Sequence, residues 1–316
     1  MPSPEPRLIV ILGPTAVGKT EIALTLAERL GGEIISADSR LFYRGLDIGT
    51  AKPTPAELAR VPHHLIDVAP PDEVWNLALF QQKVHQAILE INQRTRLPFL
   101  VGGTGQYIHA VLEGWQIPNT QPDPRLRRLL EEWGAQIGHL ALHQRLSVLD
   151  PAAAQAIDPS NMRRTVRALE VILSSGRRFS AQQLRQTPLY HVLQVGLWRP
   201  RPELYARIDA RIEAMLAAGF VEEVRGLLAQ GYASDLPTLS AIGYAEVAQY
   251  LQGQISLDEA AMLMKRRTRV FVRRQANWFK ENDPNIRWFR VADDTVDEVE
   301  SAIREWLTTN TGEHNG

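Results

Sequence analysis

The chain has 316 residues, 44% of them hydrophobic and 22% charged, and 35 Lys+Arg against 36 Asp+Glu leave a formal net charge of −1. This balance supports a full core in one large or two smaller domains, at roughly 100–200 residues each, and excludes a disordered, collagen-like or low-complexity chain. There is no cysteine, which removes disulfide frameworks, thiolate zinc sites and cysteine nucleophiles. Near-zero net charge means that no global field draws the chain onto nucleic acid, so only local patches matter.

Met1–Arg7 holds no apolar signal core, and no apolar run reaches the roughly 18–20 residues of a membrane span; a soluble, cytoplasmic protein without a membrane partner is expected. Leu8–Leu12 is a continuous apolar run, as suits a strand buried on both faces of a parallel sheet. After Gly13–Gly18 comes a helical pattern with Ile22, Leu24, Leu26, Ala27 and Leu30, closed by Gly31-Gly32. Glu33–Ala37 reads as a second strand, 77–93 as an amphipathic helix and Pro98–Val101 as a third strand, running into Gly102-Gly103. This alternation is that of a layered α/β domain.

Three prolines in Pro118–Pro124 mark a boundary. Beyond it the pattern is helical: Asp150-Pro151 and Asp158-Pro159 are helix starts, and the second helix runs to Ser175 and stops at Gly176. His191–Trp198 resumes the sheet, 203–230 and 257–281 are long helical patterns, and the polar tail 308–316 reads as disordered. The expected organisation is a P-loop NTPase-like parallel sheet flanked by helices, formed by 1–120 and 191–316, with a mostly helical insertion at 121–190.

Gly13-Pro14-Thr15-Ala16-Val17-Gly18-Lys19-Thr20 fits G-x-x-x-x-G-K-[ST] between a strand and a helix. Its glycines let consecutive N–H groups face one anion at the positive end of a helix, Lys19 adds a point charge, and the Thr20 hydroxyl suits Mg²⁺. A chance match in a chain of this length is of order 1%. The motif announces a polyphosphate without saying which. The clearest later strand ends in Gly102-Gly103-Thr104 rather than in an Asp, whereas the second strand ends in Asp38. Ligands of open parallel sheets bind beyond the carboxyl ends of strands, so Asp38 and Thr104 both belong near the loop. Position alone leaves Asp38 open between a reactive group, a helix cap and an indirect Mg²⁺ contact.

Residues 257–281 carry a basic stripe, Arg266, Arg269, Arg273 and Lys280, beside an apolar face of Leu263, Val270, Phe271 and Trp278. Arg267 and Arg274 fall within that apolar arc, where each requires either a buried carboxylate or an anionic ligand. The insertion adds Arg125, Arg127, Arg128, then Arg163, Arg164, Arg167, then Arg177 and Arg178. Separate basic clusters on a neutral chain point to a phosphate-rich macromolecule. His63 and His64 are adjacent and diverge in an extended segment, which is a structural arrangement rather than a metal site, and Trp75, Trp115 and Trp133 read as packing.

Taken together, several stretches resemble bacterial tRNA dimethylallyltransferases. They are Gly13–Thr20, Ala37-Asp38-Ser39-Arg40, Tyr43–Pro53, His63–Asp67, Val101–Gly105, Arg167–Val171, Ala241–Tyr244, Lys265–Arg269, Arg274-Gln275 and Trp278-Phe279. The resemblance covers nearly the whole chain in order, and 43–53 is its most specific part. Leu41, Phe42, Gln106 and Phe271-Val272-Arg273 depart from the family's usual residues, and the cysteine/histidine finger of eukaryotic relatives is absent.

The resemblance implies transfer of a dimethylallyl group from dimethylallyl diphosphate to N6 of the adenosine 3′ of the anticodon in tRNA. It implies Asp38 as general base and Thr104 and Ser39 as orienting groups. Lys19, the loop amides 13–20 and Mg²⁺ at Thr20 would receive the diphosphate, with Arg225 as a further clamp. Implied tRNA contacts are Asp38, Ser39, Arg40, Leu41 and Thr104, with Arg127, Arg163, Arg164, Thr165, Val166 and Arg167 of the insertion gripping the anticodon loop around a flipped adenosine. A monomer is expected. Two other classes remain open: a small-molecule kinase binding ATP on the same loop, and an RNA-stimulated ATPase or binding module.

Overall fold

Leu8–Leu12 are all fully buried, and the reason is their place in the sheet. The computed structural model describes residues 6–115, 123–182 and 190–309. Six strands, β1 (Arg7–Leu12), β2 (Gly32–Ser36), β3 (His63–His64), β4 (Leu97–Gly102), β5 (His191–Trp198) and β6 (Ile286–Arg290), form one sheet in the order β3-β2-β4-β1-β5-β6. Every pairing is parallel, with Ile9 of β1 opposite Phe99 of β4 on one side and Leu193 of β5 on the other. A strand with neighbours on both edges and helices on both faces has no solvent side, which is why β1 is continuously apolar.

Among the described residues the helices are α1 (Lys19–Leu30), α2 (Pro55–Arg60), α3 (Leu77–Gln93), α4 (Gly105–Leu112), α5 (Pro124–Ile137), α6 (His139–Leu149), α7 (Pro151–Ala156) and α8 (Met162–Ser175). After β5 come α9 (Arg201–Ala217), α10 (Phe220–Ala229), α11 (Tyr244–Leu251), α12 (Leu257–Gln275) and α13 (Thr295–Thr309). The stops follow the expected glycines: α1 ends at Gly31 (φ 65°) and α8 at Gly176 (φ 67°). α3 is capped by Asn76, which accepts the Leu79 N–H, and buries Phe80, Val84, Ala87, Ile88 and Ile91 on one face.

Three expectations need correction. The helical run 203–230 is two helices, because the backbone turns left-handed at Gly219 (φ 97°). The run 257–281 is helical only to Gln275. The polar tail begins later than residue 308, since α13 takes in Thr308 and Thr309. Residues 1–5, 310–316 and most of the proline-rich 118–124 lie outside the described residues. No helix among those described is long and apolar enough to cross a membrane.

The chain divides into two compact units, Met1–Ile108 with Tyr190–Gly316, and His109–Leu189. The second begins inside α4, ahead of the proline-rich stretch. Its own core joins Leu130, Leu142, Leu146, Ala153, Ala154, Ile157, Val166, Ala168 and Leu169. Its buried Asp150 caps α7 through the Ala153 N–H and accepts the N–H and hydroxyl of Ser180.

Candidate active site

The phosphate loop leaves the end of β1 and is tightly bounded. Gly13 has φ 151°, and a Cβ there would lie 2.5 Å from the Leu197 carbonyl oxygen of β5, so no other residue fits without moving the sheet. Ala16 sits at φ 66°, a conformation that persists only where its surroundings hold it. Arg207 Nε donates to the Ala16 carbonyl at 2.8 Å and Arg199 Nε to that of Val17 at 3.0 Å. Lys19 Nζ donates to the carbonyls of Gly13 (3.0 Å) and Pro14 (2.8 Å). Four loop carbonyls thus face cations. Among the described residues, the N–H groups of Ala16, Gly18, Lys19 and Thr20 have no acceptor, which is the anion-binding face of a helix N-terminus.

Burial lowers the Lys19 pKa to about 8, opposed by the charge of Asp38 and reinforced by that of Arg211. Arg211 is itself shifted down by burial and supported by Asp38, and its Nη2 donates to the Thr50 carbonyl at 3.2 Å. Asp38, Lys19 and Arg211 therefore share one electrostatic neighbourhood. Thr20 opens α1 in an exposed position.

Asp38 follows β2, the neighbour of β4, which is in turn the neighbour of β1. One carboxylate oxygen accepts the Arg40 N–H at 3.0 Å in a local turn; the other has no partner among the described residues. Thr104 follows β4, its carbonyl accepts the N–H groups of Tyr107 and Ile108 at the start of α4, and its hydroxyl is likewise unpartnered. A partly free carboxylate, a free hydroxyl and an anion cradle thus stand at the carboxyl ends of three adjacent strands, where open α/β sheets bind ligands.

The other expected residues divide. Ser39 and Leu41 are half-buried beside Asp38, while the Arg40 guanidinium is held by the carbonyls of Pro237 and Thr238. Arg225 is exposed on α10, paired with Glu222 of the same helix, and none of the contacts that knit the phosphate loop involves it. In the second unit, Arg163 and Arg164 are exposed on α8, and their guanidinium groups have no partner among the described residues. Arg127 and Arg167 instead converge on the buried Glu170 at 2.7 and 2.9 Å. Thr165 and Val166 are fully buried. Their side chains lie on the core face of α8, three and four positions after Met162.

Arg199, Arg207 and Arg211 were not legible as site residues. Arg199 lies just ahead of α9, and Arg207 and Arg211 recur along it at a spacing any solvated helix could show. Gln275 was visible only as part of a matching stretch; it is buried and bonds both Thr15 and Gly103.

The profile of the family described as IPP transferase matches residues 41–282, and that of isopentenyl transferases residues 6–69. The chain belongs to the IPP transferase family. It is 52% identical over 301 residues to the tRNA dimethylallyltransferase of Roseiflexus sp. strain RS-1, over 95% of this chain and 98% of that protein. Among solved structures it is similar to the tRNA isopentenylpyrophosphate transferase of Bacillus halodurans (TM-score 0.73, 41% identity, 97% and 98% coverage). It also resembles a eukaryotic dimethylallyltransferase acting on tRNA (TM-score 0.79, 25% identity, 96% of this chain and 78% of that one).

In this IPP transferase the remaining questions about the sequence close locally. Arg267 has its buried carboxylate in Glu246, while Arg274 is exposed. His64 binds Glu33 and His63 the Val61 carbonyl, and no group of three or more metal-binding side chains occurs among the described residues. Phe42 is fully buried, stacked on Phe80 and Tyr107 and packed against Trp75, so it shapes the wall behind the Asp38 turn rather than its surface.

Proposed function

We propose that this IPP transferase moves a dimethylallyl group from dimethylallyl diphosphate to N6 of the adenosine immediately 3′ of the anticodon in tRNA. The observation that carries this reading is the grouping of Asp38, Thr104 and the Lys19–Arg211 pair at the ends of β2, β4 and β1, on a chain of this family.

The N6 amine is a weak nucleophile because its lone pair is delocalised into the purine ring. As the N6–C1 bond forms and the C1–O bond breaks, the amine loses a proton to the free oxygen of Asp38. Thr104 and Ser39 orient the amine or the carboxylate. The electron pair of the broken bond leaves with the diphosphate, whose charge is received by the loop N–H groups, Lys19 and Arg211. Arg211, not Arg225, is the arginine whose surroundings support this clamp. Mg²⁺ suits the Thr20 hydroxyl, which is exposed and without an internal partner: this ion takes few protein ligands and completes its shell with water and substrate phosphates, where it would neutralise leaving-group charge.

The adenine has to leave the anticodon-loop stack to be alkylated. The second unit, with Arg163 and Arg164 among its exposed cations, is the natural grip for the loop backbone, and Arg127 and Arg167 contribute by shaping that surface around Glu170. One cytoplasmic copy of the chain carries every group this reaction needs.

The test supplies the protein with Mg²⁺, dimethylallyl diphosphate and unmodified tRNA bearing the target adenosine, followed by digestion and mass spectrometry. Prenylated adenosine is expected with the wild type, and Asp38→Asn should lower its rate about 10²- to 10⁴-fold while tRNA still binds. ATP turnover without RNA, and no prenylated product, would instead identify the kinase.

A further inference from the structure

Hydrogen bonding between β1 and β4 ends at the Leu12–Gly102 pair, just before the two strands diverge into the phosphate loop and the Gly103–Thr104 turn. Past that point a side chain joins them. Gln275, the last residue of α12, accepts the Thr15 N–H on Oε1 at 2.9 Å and donates from Nε2 to the Gly103 carbonyl at 3.0 Å. The amide's orientation is fixed by chemistry, since an N–H only donates and a carbonyl only accepts. The fit is close: a Cβ on Gly103 would lie 2.3 Å from Gln275 Nε2 and 2.9 Å from the Gly13 carbonyl oxygen.

Lys19, Arg199 and Arg207 hold the carbonyls of the loop, whereas Thr15 is held through its N–H by a neutral group. A carboxamide offers a donor and an acceptor side by side at this reach without adding charge beside an anion site, and Asn is one methylene shorter. From this geometry we propose that Gln275 is a positioning residue. It sets the spacing between the phosphate loop, which takes the donor's diphosphate, and the Thr104 turn, which faces the acceptor amine. The proposal rests on the reading of those two halves given above.

The consequence is kinetic. Displacements of about 1 Å between reacting groups lower rates on the order of 100-fold without abolishing binding. Gln275→Met keeps the volume and removes both hydrogen bonds; Gln275→Glu keeps the shape and the Thr15 bond but sets a carboxylate oxygen against the Gly103 carbonyl. In the full chain both should fold, lower kcat on the order of 10- to 100-fold and leave the KM for tRNA within about threefold of wild type. Inorganic diphosphate should bind several-fold more weakly by calorimetry. In the Thr104→Ala background the loss from Gln275→Met should shrink, because both act on one turn.

Turnover within about twofold of wild type in either folded variant would overturn the proposal, as would full additivity with Thr104→Ala. Should Gln275→Met fail to fold, the isosteric Gln275→Glu carries the test. A wild type that forms no prenylated adenosine sinks the functional reading alone. In that case unchanged diphosphate affinity in the folded variants still overturns the Gln275 tie, and weakened affinity supports it.

Discussion

Arg207 and Arg211 near the phosphate loop and Arg127 and Arg167 in the insertion are held by different partners. Arg207 and Arg211 bond the carbonyls of Ala16 and Thr50, and among the described residues neither has a carboxylate within ion-pair distance. Arg127 and Arg167 share Glu170, which is 1% exposed. A carbonyl orients a guanidinium and leaves its charge in place; a carboxylate orients it and neutralises it. The first arrangement maintains positive potential for an anionic ligand, and the second builds a helix pair. An arginine's partner, rather than its neighbours in sequence, separates the two uses.

The largest expected effect follows from the first arrangement. Arg211→Ala should lower kcat/KM for dimethylallyl diphosphate about 10²- to 10³-fold, with little change in melting temperature; a drop confined to stability would break the contrast. The charge of Lys19 gives the next. Its pKa of about 8 in the free protein means that raising pH from 7 to 9 discharges it, and diphosphate affinity should fall by up to about tenfold. An affinity that is flat over that range would show that Lys19 stays charged or makes no contact.

Glu170→Gln should cost about 1–3 kcal/mol of stability, read by denaturant melting. Burial pushes the Glu170 carboxyl up, but hydrogen bonds and charge from Arg127 and Arg167 outweigh it and hold the pKa below the usual value. Its stabilisation is therefore present above the unfolded value near 4.3 and is lost as pH falls through the lower folded value. The Gln variant should lack that acid-dependent loss. The smallest effect is at the exposed pair: Arg163→Ala with Arg164→Ala should leave melting unchanged and flatten the salt dependence of tRNA affinity by about 0.7 per lost phosphate contact. An unaltered slope would remove both from the RNA surface.

What was legible in the sequence was local. The loop Gly13–Thr20 with its flanking strand and helix, the helix 77–93, the strand 191–198 and the stop at Gly176 all follow from periodicity and glycine. β3, with two residues, is too short to leave a pattern, and β6 and α13 fall between the helical pattern 257–281 and the tail, in a stretch where the sequence reading assigns no element. The P-loop signature announced a polyphosphate site but not Arg211 or Gln275. These come to it from α9 and α12, with Gln275 bonded to Thr15 across 260 positions; amphipathicity tells which face of a helix is buried, not what that face meets. The burial of Thr165 and Val166 was hidden for the converse reason. They sit between Arg164 and Arg167 in sequence, but the turn of α8 carries them to its buried side.

The sheet order also sets a schedule for synthesis. β1 meets β4 once residue 102 is made, but its other edge waits for β5 at 191–198. Among the described residues the insertion's core, with the half-buried side chains packed on it, draws on residues 126–179 and is complete first. At roughly 5–20 residues per second, about 5–20 s separate the synthesis of β4 from that of β5, and in the last few of those seconds the helical unit is finished while the sheet still lacks β5 and β6. Throughout that interval Leu8–Leu12, later the most protected stretch of the molecule, presents an open apolar edge that invites pairing with another chain. The strand that seats the phosphate loop is, for those seconds, the segment most in need of a chaperone.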